Sequence, residues 1–148
     1  MARKRKSQRM ETVVRLARHD ERSAGQALAR ARQVLEAQLQ RLQELEDYRR
    51  DYARRFSELG GGGIDMARLN EYRRFIARLD EAIRQQRQHL ERCQEAVEHS
   101  RQAWQQARLR HQAVDDYRQR CVHEERCRDL QYEQKESDER AQRQGRPR

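Results

Sequence analysis

Leu59-Gly60-Gly61-Gly62-Gly63-Ile64-Asp65 is the stretch whose reading decides the fold. Four consecutive glycines interrupt two long heptad-patterned segments that contain no proline and one other glycine, Gly25. Glycine is the worst ordinary residue for continuing a helix, and four in a row cost roughly 4 kcal/mol relative to alanine. Everything on either side favours helix. The run therefore predicts a bend that turns one long amphipathic helix into two antiparallel ones.

Upstream of the bend, a helix over about 8–59 places Val14, Glu21, Leu28, Leu35, Leu42, Arg49 and Phe56 at heptad position a. Position d carries Met10, Ala17, Ala24, Ala31, Gln38, Leu45, Tyr52 and Leu59, so twelve of the fifteen are apolar. Such persistence over seven heptads is the signature of a coiled-coil seam. Downstream, Asp65 is placed to cap a second helix over about 65–140, followed by a frayed tail at 141–148 that contains Gly145 and Pro147. Leu69, Ile76, Ile83, Leu90, Val97, Trp104, His111, Arg118, Glu125 and Tyr132 fall at a, and Tyr72, Leu79, Gln86, Cys93, Ser100, Ala107, Val114, Cys121 and Arg128 at d. The pattern weakens after Val114. Folding at the glycines sets Leu28 opposite Val97, Leu35 opposite Leu90 and Val14 opposite His111. The expected fold is all-α, a long antiparallel two-helix coiled-coil hairpin forming one domain over 1–148. At 1.5 Å per residue the first helix would be ~78 Å long. Exposed i,i+4 pairs such as Asp51 with Arg55 and Asp80 with Arg84 would support helicity without specifying a partner.

Composition agrees with this reading. Of 148 residues, 34% are hydrophobic, 5% aromatic and 40% charged, too little apolar material for a conventional globular core. A two-helix seam asks for only two apolar positions in seven. Low hydrophobicity with high charge also describes disordered chains, and here the sustained periodicity decides for helix. The net charge of +9 invites a nucleic-acid partner. Its distribution argues otherwise: residues 1–30 hold nine basic and three acidic groups, whereas residues 36–95 hold twelve of each. The excess is an N-terminal arm, Arg3-Lys4-Arg5-Lys6, with no aromatic interleaved for base stacking.

No catalytic constellation emerges, and no cofactor or small-molecule substrate is expected. The glycine run lacks the Lys-Ser/Thr of a phosphate-binding loop. Cys121 and His123 would point about 160° apart on a helix, so Cys121, His123 and Cys127 do not make a metal site. Cys93, Cys121 and Cys127 read as reduced thiols of a soluble intracellular protein, with no apolar run long enough to span a bilayer. His111 reads as an ordinary polar seam residue. Phe75, Leu79, Ala82 and Gln86 form a second stripe near the bend, with Tyr48 and Leu45 beside it on the other helix. Such a stripe either widens the seam or docks another protein.

The stretches Leu45-Glu46-Asp47-Tyr48-Arg49-Arg50-Asp51-Tyr52 and Asn70-Glu71-Tyr72-Arg73-Arg74-Phe75-Ile76-Ala77-Arg78-Leu79-Asp80-Glu81-Ala82-Ile83 resemble the flagellar export protein FliJ family. The resemblance continues through Arg101-Gln102-Ala103-Trp104, Glu133-Gln134-Lys135, Asp138-Glu139 and Ala141-Gln142-Arg143, and so covers essentially the whole chain. It implies a non-enzymatic component of the flagellar type III export apparatus, cytoplasmic and peripherally associated with the membrane at the basal body, acting in flagellum biogenesis and motility. Members resemble the central stalk of rotary ATP synthases. They promote ring assembly of the export ATPase (FliI), bridge it to the export-gate membrane protein (FlhA) and assist export chaperones. Carried onto this chain, the gate-facing tip is Leu45, Tyr48, Tyr52, Phe75, Leu79, Ala82 and Gln86, the family often having histidine at the last position. The candidate ATPase-facing end is Arg3, Lys4, Arg5, Lys6, Arg9, Arg15, Arg18, Arg118, Arg120, Arg126 and Arg128. The competing readings are a basic nucleic-acid-binding coiled coil and a structural protein that self-associates; a monomer when free is expected.

Overall fold

A computed structural model describes residues 3–60, 63 and 65–146. The chain is all-α: α1 spans Lys6–Leu59 and α2 spans Met66–Gln144, and the two long helices pack against each other as a helical hairpin. Of the bend read at 60–64, Gly61, Gly62 and Ile64 lie outside the described residues, as do the last two residues of the tail. Gly60 closes α1 in a tighter turn, and Gly63 takes φ +85°, a left-handed conformation that glycine adopts without steric cost.

Local signals account for each helix end. At the start of α1, the Arg5 backbone N–H donates to Gln8 Oε1 at 3.2 Å, the reciprocal half of a capping box. The Arg9 N–H then closes the first turn onto the Arg5 carbonyl at 3.1 Å. Asp65 opens α2: its carbonyl accepts from the Leu69 N–H at 3.1 Å, and its carboxylate lies 3.5 Å from the Ala67 N–H. A cap of this kind stabilises a helix by about 1 kcal/mol. α2 continues four residues beyond the 140 expected and stops where the Gly145 N–H returns to the Ala141 carbonyl at 3.0 Å. Arg140 to Gln144 contain no helix breaker, so the turn waits for Gly145.

The hairpin divides into two compact units, each taking a segment of both helices. Unit 1 comprises Met1–Ser23 with Trp104–Arg148; unit 2 comprises Ala24–Ala103. In unit 2 the buried residues are Leu28, Leu79, Ile83, Gln86 and Cys93, all at heptad a or d. Burying Leu28 or Ile83 stabilises the unit by about 2 kcal/mol each. The d-position alanines Ala24 and Ala31 are only half-buried. Gln86 is accommodated because its Nε2 donates to the Gln38 carbonyl at 3.1 Å and to Gln38 Oε1 at 2.8 Å.

In unit 1 the core is Val14, Ala17 and Cys121, with Ser7 also buried. The seam does not end at Val114: Cys121 is 3% exposed, and Glu125 accepts from the Ser7 N–H (3.1 Å) and Oγ–H (2.6 Å). A cysteine fits there as a small hydrophobe, and the glutamate is admitted because the first turn of α1 has unpaired N–H groups to offer it. Across from His111 stands Glu21 rather than Val14, with Glu21 Oε2 2.5 Å from His111 Nδ1. A carboxylate only accepts, so Nδ1 carries the proton. From Arg126 onward every described residue of α2 is exposed.

Candidate docking surfaces

Five of the eight aromatic residues lie between positions 48 and 75, all in unit 2. Phe56 stacks on Tyr72 with centroids 3.8 Å apart and planes 9° from parallel; Tyr72 stacks in turn on Tyr52 at 5.7 Å. Tyr52 lies 4.4 Å from Phe75, and Tyr48 meets Phe75 edge-on at 5.9 Å. Such pairs contribute roughly 0.5–1.5 kcal/mol each beyond the area they bury. The ladder is open to solvent at its rim: Tyr48 is 52% exposed, and Leu59 and Met66, flanking the bend, are 74% and 64% exposed. A cleft of about 270 Å³ runs beside it, lined by Tyr52, Phe56, Leu59, Gly63, Arg68, Glu71 and Tyr72.

The stripe read beside the bend lies partly in the seam and partly at the surface. Leu79 and Gln86 are each 8% exposed and belong to the seam, Gln86 being committed to Gln38. Leu45, Tyr52, Phe75 and Ala82 are half-buried. The stripe splits in this way because Leu79 and Gln86 occupy d positions, which two helices bury first. Tyr48 is thus the outermost member of the set. Phe56, Tyr72, Leu59 and Met66 also reach this surface and were not singled out from sequence. The signal that marks them is the crowding of aromatics on both sides of the glycine run.

Charged side chains brace the same unit. Arg49 donates to Asp80 at 2.5 Å across the two helices, and Arg87 to Glu46 at 3.0 Å. The hydrogen bond from Arg49 holds the Asp80 carboxyl below its usual range. With Asp80 taken, Arg84 turns back to Glu81, whose carboxyl it also lowers; likewise Asp51 pairs with Arg54 at 3.8 Å rather than with Arg55. An i,i+3 partner is as close on a helix surface as an i,i+4 one.

All eleven basic residues singled out from sequence belong to unit 1, although not all are free. Arg5 forks onto both oxygens of Asp129 at 2.9 and 3.3 Å. The Lys6 Nζ lies 5.3 Å from the Tyr117 ring centroid, with Arg120 at 5.8 Å. The Arg5 and Lys6 contacts tie the start of α1 to α2. Arg15, Arg18 and Arg118, together with Glu11 and Val14, line a cleft of about 430 Å³. Arg5, Lys6, Arg9 and Arg128 line another of about 390 Å³ with Glu125 and Asp129. Arg3, Lys4 and Arg126 are exposed.

Among the described residues no group of three His, Cys, Asp or Glu converges as a metal site. Cys121 is buried in the seam, while Cys127 lies exposed with its Sγ 3.7 Å from His123 Nε2. Among the described residues no helix is long and apolar enough to cross a membrane.

A paired helical hairpin with aromatics flanking the bend is the arrangement on which the sequence resemblance rests. The model of the flagellar FliJ protein family matches residues 6–148. The chain belongs to that family. Membership makes it a component related to flagellar protein export. No curated protein and no solved structure matches the chain.

Proposed function

We propose that this FliJ family member is a non-enzymatic, stalk-like adaptor of the flagellar export apparatus. It promotes assembly of the export ATPase ring, bridges that ring to the membrane export gate and assists export chaperones. It works in the cytoplasm and is held at the membrane by its partners, and it is a monomer when free. The observation that carries the reading is the segregation of two recognition chemistries on one chain. Unit 1 holds 19 basic against 12 acidic residues, a net +7, while unit 2 holds 15 against 13, a net +2. Unit 2 instead presents the aromatic ladder. A charged surface suits steering and ring contact, and an aromatic-centred surface suits a specific protein anchor.

In this reading Tyr48, Phe75 and the rim at Leu59 and Met66 meet the gate, with Leu45, Tyr52 and Ala82 at the margin. Leu79 and Gln86 support them from within the seam. The basic residues of unit 1 meet the ATPase. A paired pull-down tests the division. Tyr48→Ala with Phe75→Ala should weaken capture of the gate's cytoplasmic domain by about tenfold or more and leave ATPase capture unchanged. Charge reversal at Arg3, Lys4 and Arg9 should do the opposite. Gate capture undiminished by the aromatic pair would refute the assignment of that surface. Steeply salt-dependent retention of duplex DNA, or a stable dimer in sedimentation, would favour the competing classes.

A further inference from the structure

We propose that the groove lined by Glu11, Val14, Arg15, Arg18 and Arg118 in unit 1 is a receptor for an acidic protein segment, whose carboxylates the three guanidiniums hold. The proposal rests on reading unit 1 as the partner-facing basic surface, and it names the chemistry of what that surface takes. Arg15 and Arg18 stand one turn apart on α1, Arg118 comes from α2, and all three open into the same cleft of about 430 Å³. Their donors are largely unspent. Among the described residues Arg15 reaches only Thr12 Oγ1 at 3.5 Å, and Arg118 lies 3.5 Å from Asp115, both long beside the 2.7–2.9 Å or so of a charge-assisted bond. Neither Arg15 nor Arg18 joins an ion pair among the described residues. Arg5 is the contrast: its fork is already filled by Asp129 at 2.9 and 3.3 Å.

The lining also says what kind of anion fits. Val14, 4% exposed, is spent on the seam and only closes the base of the groove, so the surface left to a ligand is mainly the charged side chains. Glu11 adds a carboxylate to the lining, which disfavours any anion set directly against it and accepts a peptide N–H or a basic neighbour of the acidic residues. None of the lining residues is aromatic, so nothing there stacks a nucleic-acid base. Guanidiniums bind carboxylates in a two-pronged geometry that lysines do not reproduce, and three of them on two helices match two or three acidic side chains in series.

The full chain is titrated at physiological salt with a fluorescein-labelled hexaglutamate peptide, with hexaglutamine as the control. The wild-type chain should bind the first and not the second. Arg15→Gln, Arg18→Gln and Arg118→Gln together should weaken binding by about tenfold or more. The charge-matched change at exposed Arg73, Arg74 and Arg78 in unit 2 should weaken it by less than about twofold. Equal losses in the two triple variants would overturn the proposal in favour of net charge alone. Displacement of the peptide by inorganic phosphate at equal concentration would overturn it in favour of a simple oxyanion site. Circular dichroism checks helicity; if the groove triple unfolds, Arg18→Gln alone should weaken binding by about threefold, and no change would refute the groove. ATPase pull-down with the same variants separates this from the broader reading. Loss of peptide and ATPase together supports both. Loss of peptide with ATPase capture intact supports the groove and overturns the ATPase contact at unit 1.

Discussion

Units 1 and 2 are built from the same two helices on the same heptad, yet they hold together by different means. Unit 2 relies chiefly on apolar bulk, with Leu28, Leu79 and Ile83 inside and an aromatic ladder from Tyr48 to Phe56 against Tyr72 and Phe75, and adds Gln86 to Gln38 and the exposed ties Arg49 to Asp80 and Arg87 to Glu46. Unit 1 has Val14, Ala17 and Cys121, all small, and supplements them with polar links: Ser7 to Glu125, Glu21 to His111, Arg5 to Asp129. Apolar packing carries no titrating group and no charge for ions to screen, whereas ionic and charge-assisted links respond to both pH and ionic strength. The comparison teaches that one coiled-coil pattern can carry a robust section and a condition-sensitive one, according to what fills a and d.

The largest effect should come from the apolar section. Phe56→Ala removes the ring stacked on Tyr72 and should cost about 3 kcal/mol, read as a fall in the urea midpoint. Val14→Ala, the nearest equivalent in unit 1, should cost about 2 kcal/mol or less because fewer contacts are lost. Hydrogen exchange locates the effect: the first variant should expose amides of unit 2, the second those of unit 1. Equal costs would remove the contrast between the units.

The polar layer of unit 1 gives a change of opposite sign. Glu21 and His111 are about three-quarters withdrawn from water, and His111 Nε2 is buried with no hydrogen-bond partner among the described residues. A withdrawn polar pair with an orphan nitrogen adds little net stability against leucines of similar volume. Replacing both by leucine should therefore stabilise the protein by about 2 kcal/mol in thermal unfolding. Glu21→Leu alone should destabilise, since it leaves the imidazole with two unmet nitrogens instead of one. The register of unit 1 should loosen in the double variant, visible as pairing of cysteines engineered one heptad out of phase.

This polar layer also marks the limit of what the letters reveal. The bend, both helices and the a/d faces are legible because glycine cost and hydrophobic period act locally. The pairing of Glu21 with His111 is not, since both residues stand at a and the offset between antiparallel helices depends on the path through the bend. Cys121 and Glu125 look like a decaying seam until the first is seen buried and the second bonded to Ser7. At the aromatic surface the heptad does separate Leu79 and Gln86, which stand at d and are buried, from Phe75 and Ala82, which do not; what it leaves open is how far α1 covers these two, and packing makes them half-buried. Arg15, Arg18 and Arg118 are visible as charge, but their convergence across two helices has no sequence signature.

The smallest predicted effect is one of pH, and it concerns Glu125. Hydrogen bonds from the Ser7 hydroxyl and then the Ser7 N–H hold its carboxyl below the ordinary value of 4.5. A carboxylate whose value is depressed in the folded chain stabilises it fully above the unfolded value, and the contribution drains away as pH falls through the folded one. The carboxylate also sits at the positive end of the α1 dipole, which protonation leaves uncompensated. Thermal unfolding of the wild-type chain should thus shift downward as pH drops below about 4.5, and Glu125→Gln should flatten part of that fall while lowering the midpoint at neutral pH. In unit 2, Asp80→Asn should flatten another part, because Arg49 holds that carboxyl down in the same way. Hydrogen exchange during acidification then separates the two: the amides at the start of α1 should open in the wild-type chain near the pH where Glu125 takes its proton, while those beneath the Phe56–Tyr72 stack stay protected. Simultaneous opening of both units would mean that the polar links of unit 1 do not set its sensitivity to acid.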